Sequence, residues 1–135
     1  MAASLLYEMV MKDVLVVDDE KTFLDTLTEG LKLYSRYFNV ITAESGKTAI
    51  EILKTFIIDV VVTDLKMPDT DGYDLVEYIK KYHPTIPIII MTAHGDLIIE
   101  KRLRDIGIAQ YIEKPLELGE IVSEILSVGK EHSSQ

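Results

Sequence analysis

Two kinds of apolar pattern alternate along the chain. The first is a short run bounded by polar residues: Val14–Val17, Phe38–Ile41, Val60–Val62, Ile88–Met91 and Gln110–Ile112. Several of these runs are rich in β-branched residues and lack polar alternation, which predicts strands buried on both faces, as in a parallel sheet. The second kind has helical spacing. Phe23, Leu27, Leu31 and Tyr34 recur at steps of four, four and three; Ala49, Ile52, Leu53 and Phe56 follow Ser45, a candidate N-cap. Leu75, Val76, Ile79 and Tyr82 form a third stripe, which His83-Pro84 ends. Leu118, Ile121, Val122 and Ile125 form the last. Between Asp96 and Ile106 the stripe is blurred by the consecutive Leu97, Ile98 and Ile99, which predicts a short helix with an exposed apolar edge.

The order is strand then helix, five times. Such alternation predicts an α/β fold with right-handed crossovers, a parallel sheet and helices on both faces. With 135 residues there is room for one domain. The expected division is an extension over 1–11, the domain over 12–130 and a tail over 131–135. Met1 to Val10 is an upstream start, a cloning remnant or a small extra helix. There is no cysteine, which excludes disulfides, thiolate metal sites and cysteine nucleophiles. The net charge of −9 repels phosphate backbones and anionic headgroups, so direct contact with nucleic acid or membrane is not expected, whereas cations and basic partners are. No apolar run approaches the ~20 residues that span a bilayer, and the first eleven lack the basic start of a signal peptide.

In open sheets of this class, ligands bind beyond the carboxyl ends of the strands. The first strand ends in Asp18-Asp19, the third in Asp64, the fourth in Thr92 and the fifth in Lys114-Pro115. Three carboxylates converging on one edge need a cation or a proton, and a hard divalent ion such as magnesium takes oxygen ligands of this kind. A lysine beside such an ion has little use for the ion itself, but it can hold an anion that the ion also holds. That is a layout for phosphoryl transfer, with the Thr92 hydroxyl donating to a phosphoryl oxygen. Asp64, a single carboxylate on a middle strand, is the best candidate nucleophile, and the Asp18-Asp19 pair is better placed to hold the ion.

The stretches Val-Leu-Val-Val-Asp18-Asp19-Glu20, Val-Val-Thr-Asp64-Leu-Lys-Met67-Pro68-Asp69 with Asp71-Gly72, Ile-Met-Thr92-Ala93 and Tyr111-Ile-Glu-Lys114-Pro115 occur in order and at fitting spacing. Over Lys12 to Lys130 the chain resembles a response-regulator receiver domain of two-component signalling. The resemblance implies the flavodoxin-like five-stranded sheet, order 2-1-3-4-5. It implies that Asp64 is the phosphoacceptor, that Asp19 and Asp64 hold magnesium directly, Asp18 through water and Lys66 through its backbone carbonyl. It implies that Lys114 binds the phosphoryl group, with a cis bond to Pro115, and that Thr92 and Tyr111 form the switch pair. The implied partner is a sensor histidine kinase or phosphotransfer protein, in the cytoplasm. The implied module catalyses only its own phosphorylation and dephosphorylation. Family dimers often use the stretch that is 96–130 here, so a homodimer through it belongs with the resemblance.

The departures are small. Leu116 stands where the family often has Phe. Lys66 and His94 occupy variable positions that border the path of the hydrolytic water, and neither is an acid or amide that would readily place it, so slow self-dephosphorylation is expected. Taken singly, the residues have plainer readings: Asp18-Asp19 as a helix cap and solvated loop, Lys114 as surface charge, Tyr111 as a half-buried strand aromatic. Asp69-Thr-Asp71-Gly72 resembles part of a calcium loop, but its first and last ligand positions would fall on Met67 and Tyr78, which cannot serve. His83 and His132 are expected to face solvent. Two rival functions remain open at this level. One is a magnesium-dependent phosphatase with an Asp nucleophile, although haloacid-dehalogenase-like enzymes carry Asp-x-Asp on the first strand. The other is an interaction module with a vestigial pocket.

Overall fold

The computed structural model describes residues 11–65, 72–92, 97–108, 110–113 and 117–133, without the side chains of 92, 97, 99, 100 and 129–133. The elements are β1 (Lys12–Val17), α1 (Lys21–Leu31) with a 3-10 turn over Lys32–Tyr34, β2 (Phe38–Ala43), α2 (Gly46–Thr55), β3 (Val60–Asp64), α3 (Gly72–Tyr82), β4 (Ile88–Thr92), α4 (Leu97–Asp105), β5 (Tyr111–Glu113) and α5 (Leu118–Ser133). All strand pairs are parallel, and the sheet order is β2-β1-β3-β4-β5, as expected.

Successive strand residues point to opposite faces, so each apolar run feeds two cores. Leu15, Val17, Val61, Ile88 and Ile90 pack on one face with Ala49 and Leu53 of α2, Leu75, Val76 and Ile79 of α3, and Leu103 of α4. Val14, Val16, Val60, Val62, Ile89 and Met91 pack on the other with Leu24, Leu27 and Leu31 of α1 and Ile121, Val122 and Ile125 of α5. Both layers are needed because a strand such as β4 buries its aliphatic side chains on both faces, each contributing about 1.5–3 kcal/mol.

Three details correct the helical stripes. In α1 the buried line runs through Leu24, not Phe23, and Tyr34 lies in the 3-10 turn beyond the helix. The helical spacing places Phe56 and Tyr82 on the inner faces of the second and third helices, yet both are exposed. Helix α2 ends at Thr55, so Phe56 adopts extended backbone and leaves the helical face. Ile98 of α4 is exposed, in line with the apolar edge expected there. His83 is half-buried against Tyr78 rather than fully solvated, with ring centroids 5.8 Å apart.

The termini of the helices follow local chemistry. Ser45 caps α2, its Oγ accepting the Thr48 backbone N–H at 3.1 Å. Ser45→Ala is expected to destabilise the fold by about 1 kcal/mol, measurable by chemical denaturation, because one orphan donor of the first turn loses its partner. Helix α4 closes on Gly107, the only residue with a left-handed φ (86°) among those described. There the Ile108 N–H reaches the Leu103 carbonyl at 2.8 Å and the Gly107 N–H reaches that of Arg104 at 3.0 Å. The Arg102 guanidinium lies 3.7 Å from the centroid of the Tyr73 ring, tying α4 to α3.

Candidate functional site

The parallel register sets the site. Val17 of β1 lies beside Thr63 of β3, so the residues that follow, Asp18 and Asp64, leave the sheet as neighbours at its carboxyl edge. Asp18 is fully buried, Asp64 half-buried and Asp19 exposed, and one carboxylate oxygen from each lies within 4.8 Å of the others. The Asp18 backbone N–H donates to the Ala43 carbonyl at 3.1 Å, and its Oδ1 accepts the Glu20 N–H at 2.9 Å. The plain capping reading is not met: the N-cap of α1 is Glu20, without a side-chain cap, and Asp18 instead closes the turn that leads into the helix while facing the other two acids.

Three carboxylates this close repel one another. The Asp19 carboxyl is held above its ordinary value of 3.8, first by lost solvation, then by its hydrogen bond with the Asp18 side chain. The charges of Asp18 and Asp64 push the same way, and a backbone hydrogen bond at Asp19 opposes them. Asp19 is exposed, so water screens part of the repulsion. An all-oxygen set that is strained by its own charge fits a hard divalent cation.

Two residues that the motif reading gave no role shape this edge. Thr63 is fully buried, and its Oγ1 donates to the Asp64 carbonyl at 2.9 Å, fixing the backbone at the strand end. Gly72 opens α3 against the same turn. Its N–H donates to the Leu65 carbonyl at 3.0 Å, and a Cβ there would lie 2.5 Å from the Leu65 Cα and 2.7 Å from the Asp64 carbonyl oxygen. The requirement is closeness, not an unusual φ, because among the described residues only Gly107 has a positive φ. Gly72→Ala is therefore expected to cost roughly 1–3 kcal/mol in denaturant unfolding, since backbone must give way. A variant as stable as the parent would show that the contact relaxes freely.

The other proposed site residues are reached only in part. The β4 backbone ends at Thr92, paired with Glu113, but the Thr92 side chain is not described. Tyr111 is half-buried on β5 beside Ile90 and packs against the core shared with α2, α3 and α4. Lys66, His94, Lys114, Pro115 and Leu116 lie outside the described residues. No described helix is long and apolar enough to cross a membrane.

Comparison with known proteins is consistent with this geometry. A family model described as the response regulator receiver domain matches residues 14–126. The transcriptional regulatory protein GlrR of Escherichia coli (strain K12) is 36% identical over 104 residues, covering 77% of this chain and 23% of that protein. The DNA-binding transcriptional regulator NtrC of Klebsiella pneumoniae is 35% identical over 108 residues, covering 80% and 23%. The chain thus spans about a quarter of the length of these relatives. Among solved structures, a receiver domain protein from Clostridium thermocellum superposes with a TM-score of 0.82 at 31% identity, covering 91% of this chain and 98% of that one. A CheY-like receiver domain protein from Methanospirillum hungatei shares the fold, with a TM-score of 0.85 at 23% identity over 93% and 98%. The order of the sheet, the acidic carboxyl edge and the match over residues 14–126 agree: this chain belongs to the response regulator receiver domain family of two-component signalling.

Proposed function

We propose that the chain, over residues 12–130, is a phosphoacceptor switch that takes a phosphoryl group onto Asp64 from a phosphohistidine of a sensor kinase or phosphotransfer protein. The observation that carries this reading is the convergence of Asp18, Asp19 and Asp64 at the carboxyl edge of a receiver-family sheet. In the transfer, an Asp64 carboxylate oxygen forms a bond to phosphorus as the phosphorus–nitrogen bond to the donor imidazole breaks, and the imidazole leaves with a proton.

Asp19 and Asp64 would hold magnesium directly, with Asp18 behind a water and the Lys66 carbonyl completing the protein's share. When bound, the ion supplies positive charge against the phosphoryl oxygens. Asp18 orients the start of α1 and keeps the acidic face dense. Thr63 holds the Asp64 backbone still. Lys114 would hold the phosphoryl group from the far side, and Thr92 with Tyr111 would report its arrival by a shift between two packings close in energy. The module acts on itself, not on an outside substrate, and is placed in the cytoplasm with its kinase. A homodimer through 96–130 belongs to the same proposal. The expectation that this domain does not itself touch nucleic acid rests on its charge alone, and it gains no support from a relative described as a DNA-binding regulator.

The test is direct. The protein is incubated with acetyl phosphate, with magnesium or with a chelator, and its intact mass is recorded. A hydroxylamine-sensitive phosphoryl adduct that forms only with magnesium is expected. Its absence from a folded sample would make the pocket vestigial and bring the interaction-module reading forward.

A further inference from the structure

The opposite pole of the sheet, where the strands begin, carries a second surface. Large apolar side chains are exposed on the segments that feed four strands: Met11 before β1, Leu33 and Tyr37 before β2, Phe56 and Ile57 before β3, and Tyr82 before β4. Among the described residues, only Ile98 and Leu126 are exposed large apolar side chains elsewhere. Scattered exposed apolar residues need no explanation, but a gathering at one pole does. Ile57, 87% exposed, contributes little to the core and so has no packing reason to be isoleucine.

Between the ends of α2 and α3, three of these residues, Phe56, Ile57 and Tyr82, wall a groove of about 430 Å³ with Lys54 among its lining. None of the residues lining it is acidic. The Lys81 ammonium stands 5.3 Å from the centroid of the Tyr82 ring. The only ion pair among the described residues is Lys32–Glu29, so neither Lys54 nor Lys81 has a carboxylate partner there. Asp13 and Asp59, the acids at the start of β1 and β3, face each other's strands instead: Asp59 Oδ2 accepts the Asp13 N–H at 2.7 Å, and Asp13 Oδ1 accepts the Asn39 amide at 2.9 Å. A lysine in the last turn of a helix also complements the helix dipole. That accounts for Lys54 and Lys81 but not for the apolar walls between them.

We propose that this groove docks an acidic amphipathic segment of a partner protein, with its apolar side chains between Phe56, Ile57 and Tyr82 and its carboxylates on Lys54 and Lys81. The carboxylate pole repels an acidic ligand, whereas Lys54 and Lys81 attract one locally against the overall negative charge, so this edge is where such a ligand settles. A concave groove with side walls admits the side chains of a peptide, whereas a bilayer would ask for a protruding apolar face. The site lies at the other end of the sheet from Asp64 and does not depend on the phosphoacceptor reading.

The test is an amide chemical-shift titration of the full chain with a short helical peptide that carries leucine along one face and glutamate along the other. Saturable shifts confined to residues 53–59 and 82–86 are expected. The Lys54→Glu, Lys81→Glu double variant should weaken binding about tenfold or more, as reversal of close charge pairs does. Ile57→Ser should weaken it as well, with an unchanged thermal melt, because that side chain is exposed. Four results would overturn the proposal: no saturable shifts, equal binding of the peptide's glutamine counterpart, shifts centred on another face, or self-association of the free protein through these same residues. Failure with the peptide together with Lys54-dependent sedimentation on phosphatidylglycerol vesicles would overturn it in favour of a lipid surface.

Discussion

Asp64→Asn is expected to abolish the phosphoryl adduct while leaving the fold in place. The substitution keeps the size and shape of the side chain at the end of β3 but replaces a carboxylate oxygen with an amide, which is too weak a nucleophile to attack phosphorus at neutral pH. The backbone of this position has ties that the substitution leaves in place: the Asp64 carbonyl accepts the Thr63 hydroxyl at 2.9 Å and belongs to the turn on which Gly72 rests. Removal of one of three crowded charges also relieves repulsion, so the variant should melt no lower than the parent in a chelator. The readouts are intact mass after acetyl phosphate with magnesium, and a thermal melt of the same sample. A full adduct on the variant, mapped to another residue, would remove Asp64 from its role. An adduct lost together with the melt would say nothing of chemistry, which is why both are recorded.

The order of elements was legible because β-branched runs and helical stripes differ in period, and because a five-fold alternation admits few topologies. The limits of that reading are local. Phe56 and Tyr82 keep the helical spacing of their stripes, so periodicity alone draws them inward. What it cannot see is where the helix stops: Phe56 has already turned into extended backbone, and Tyr82 is the last residue of α3. Phe23 and Leu24 are adjacent, and only packing against β1 and α5 decides that Leu24 faces in. The site was legible in its charges, since a parallel sheet delivers the ends of its strands to one edge. The role of Gly72 was not. Its requirement comes from the approach of α3 to the Asp64–Leu65 backbone, a tertiary contact for which a glycine near a helix start gives no distinctive signal.

The two poles of the sheet also differ in kind. At the carboxyl edge, three acids are crowded together. At the amino edge, apolar side chains are exposed beside lysines that have no carboxylate partner among the described residues. If both proposals hold, a partner docked at one end would not displace the one that acts at the other, because the two surfaces lie at opposite ends of the sheet.

Asp19→Asn separates what the acidic edge costs the fold from what it gains. Asp19 is exposed and contributes little to packing, yet its carboxyl is pushed above 3.8 by lost solvation, its hydrogen bond with Asp18 and the charges around it. A carboxyl whose pKa is raised by folding destabilises the folded state wherever it is ionised. Without divalent ions at neutral pH, the variant is therefore expected to melt at the same temperature as the parent or higher. That advantage fades as pH falls through the range in which Asp19 titrates in the fold, because near 3.8 and below the carboxyl becomes neutral in both states. With magnesium the order reverses. The parent gains stability as the ion binds the folded state alone, and the variant, short of one ligand, loses affinity on the order of 100-fold, about 2.7 kcal/mol. Thermal melts across a magnesium titration read both effects in one experiment. A variant that melts well below the parent in chelator would mean Asp19 stabilises the fold by a contact other than charge. A magnesium response equal to the parent's would mean the ion is held without Asp19, and the ligand set would have to be redrawn around Asp18 and Asp64.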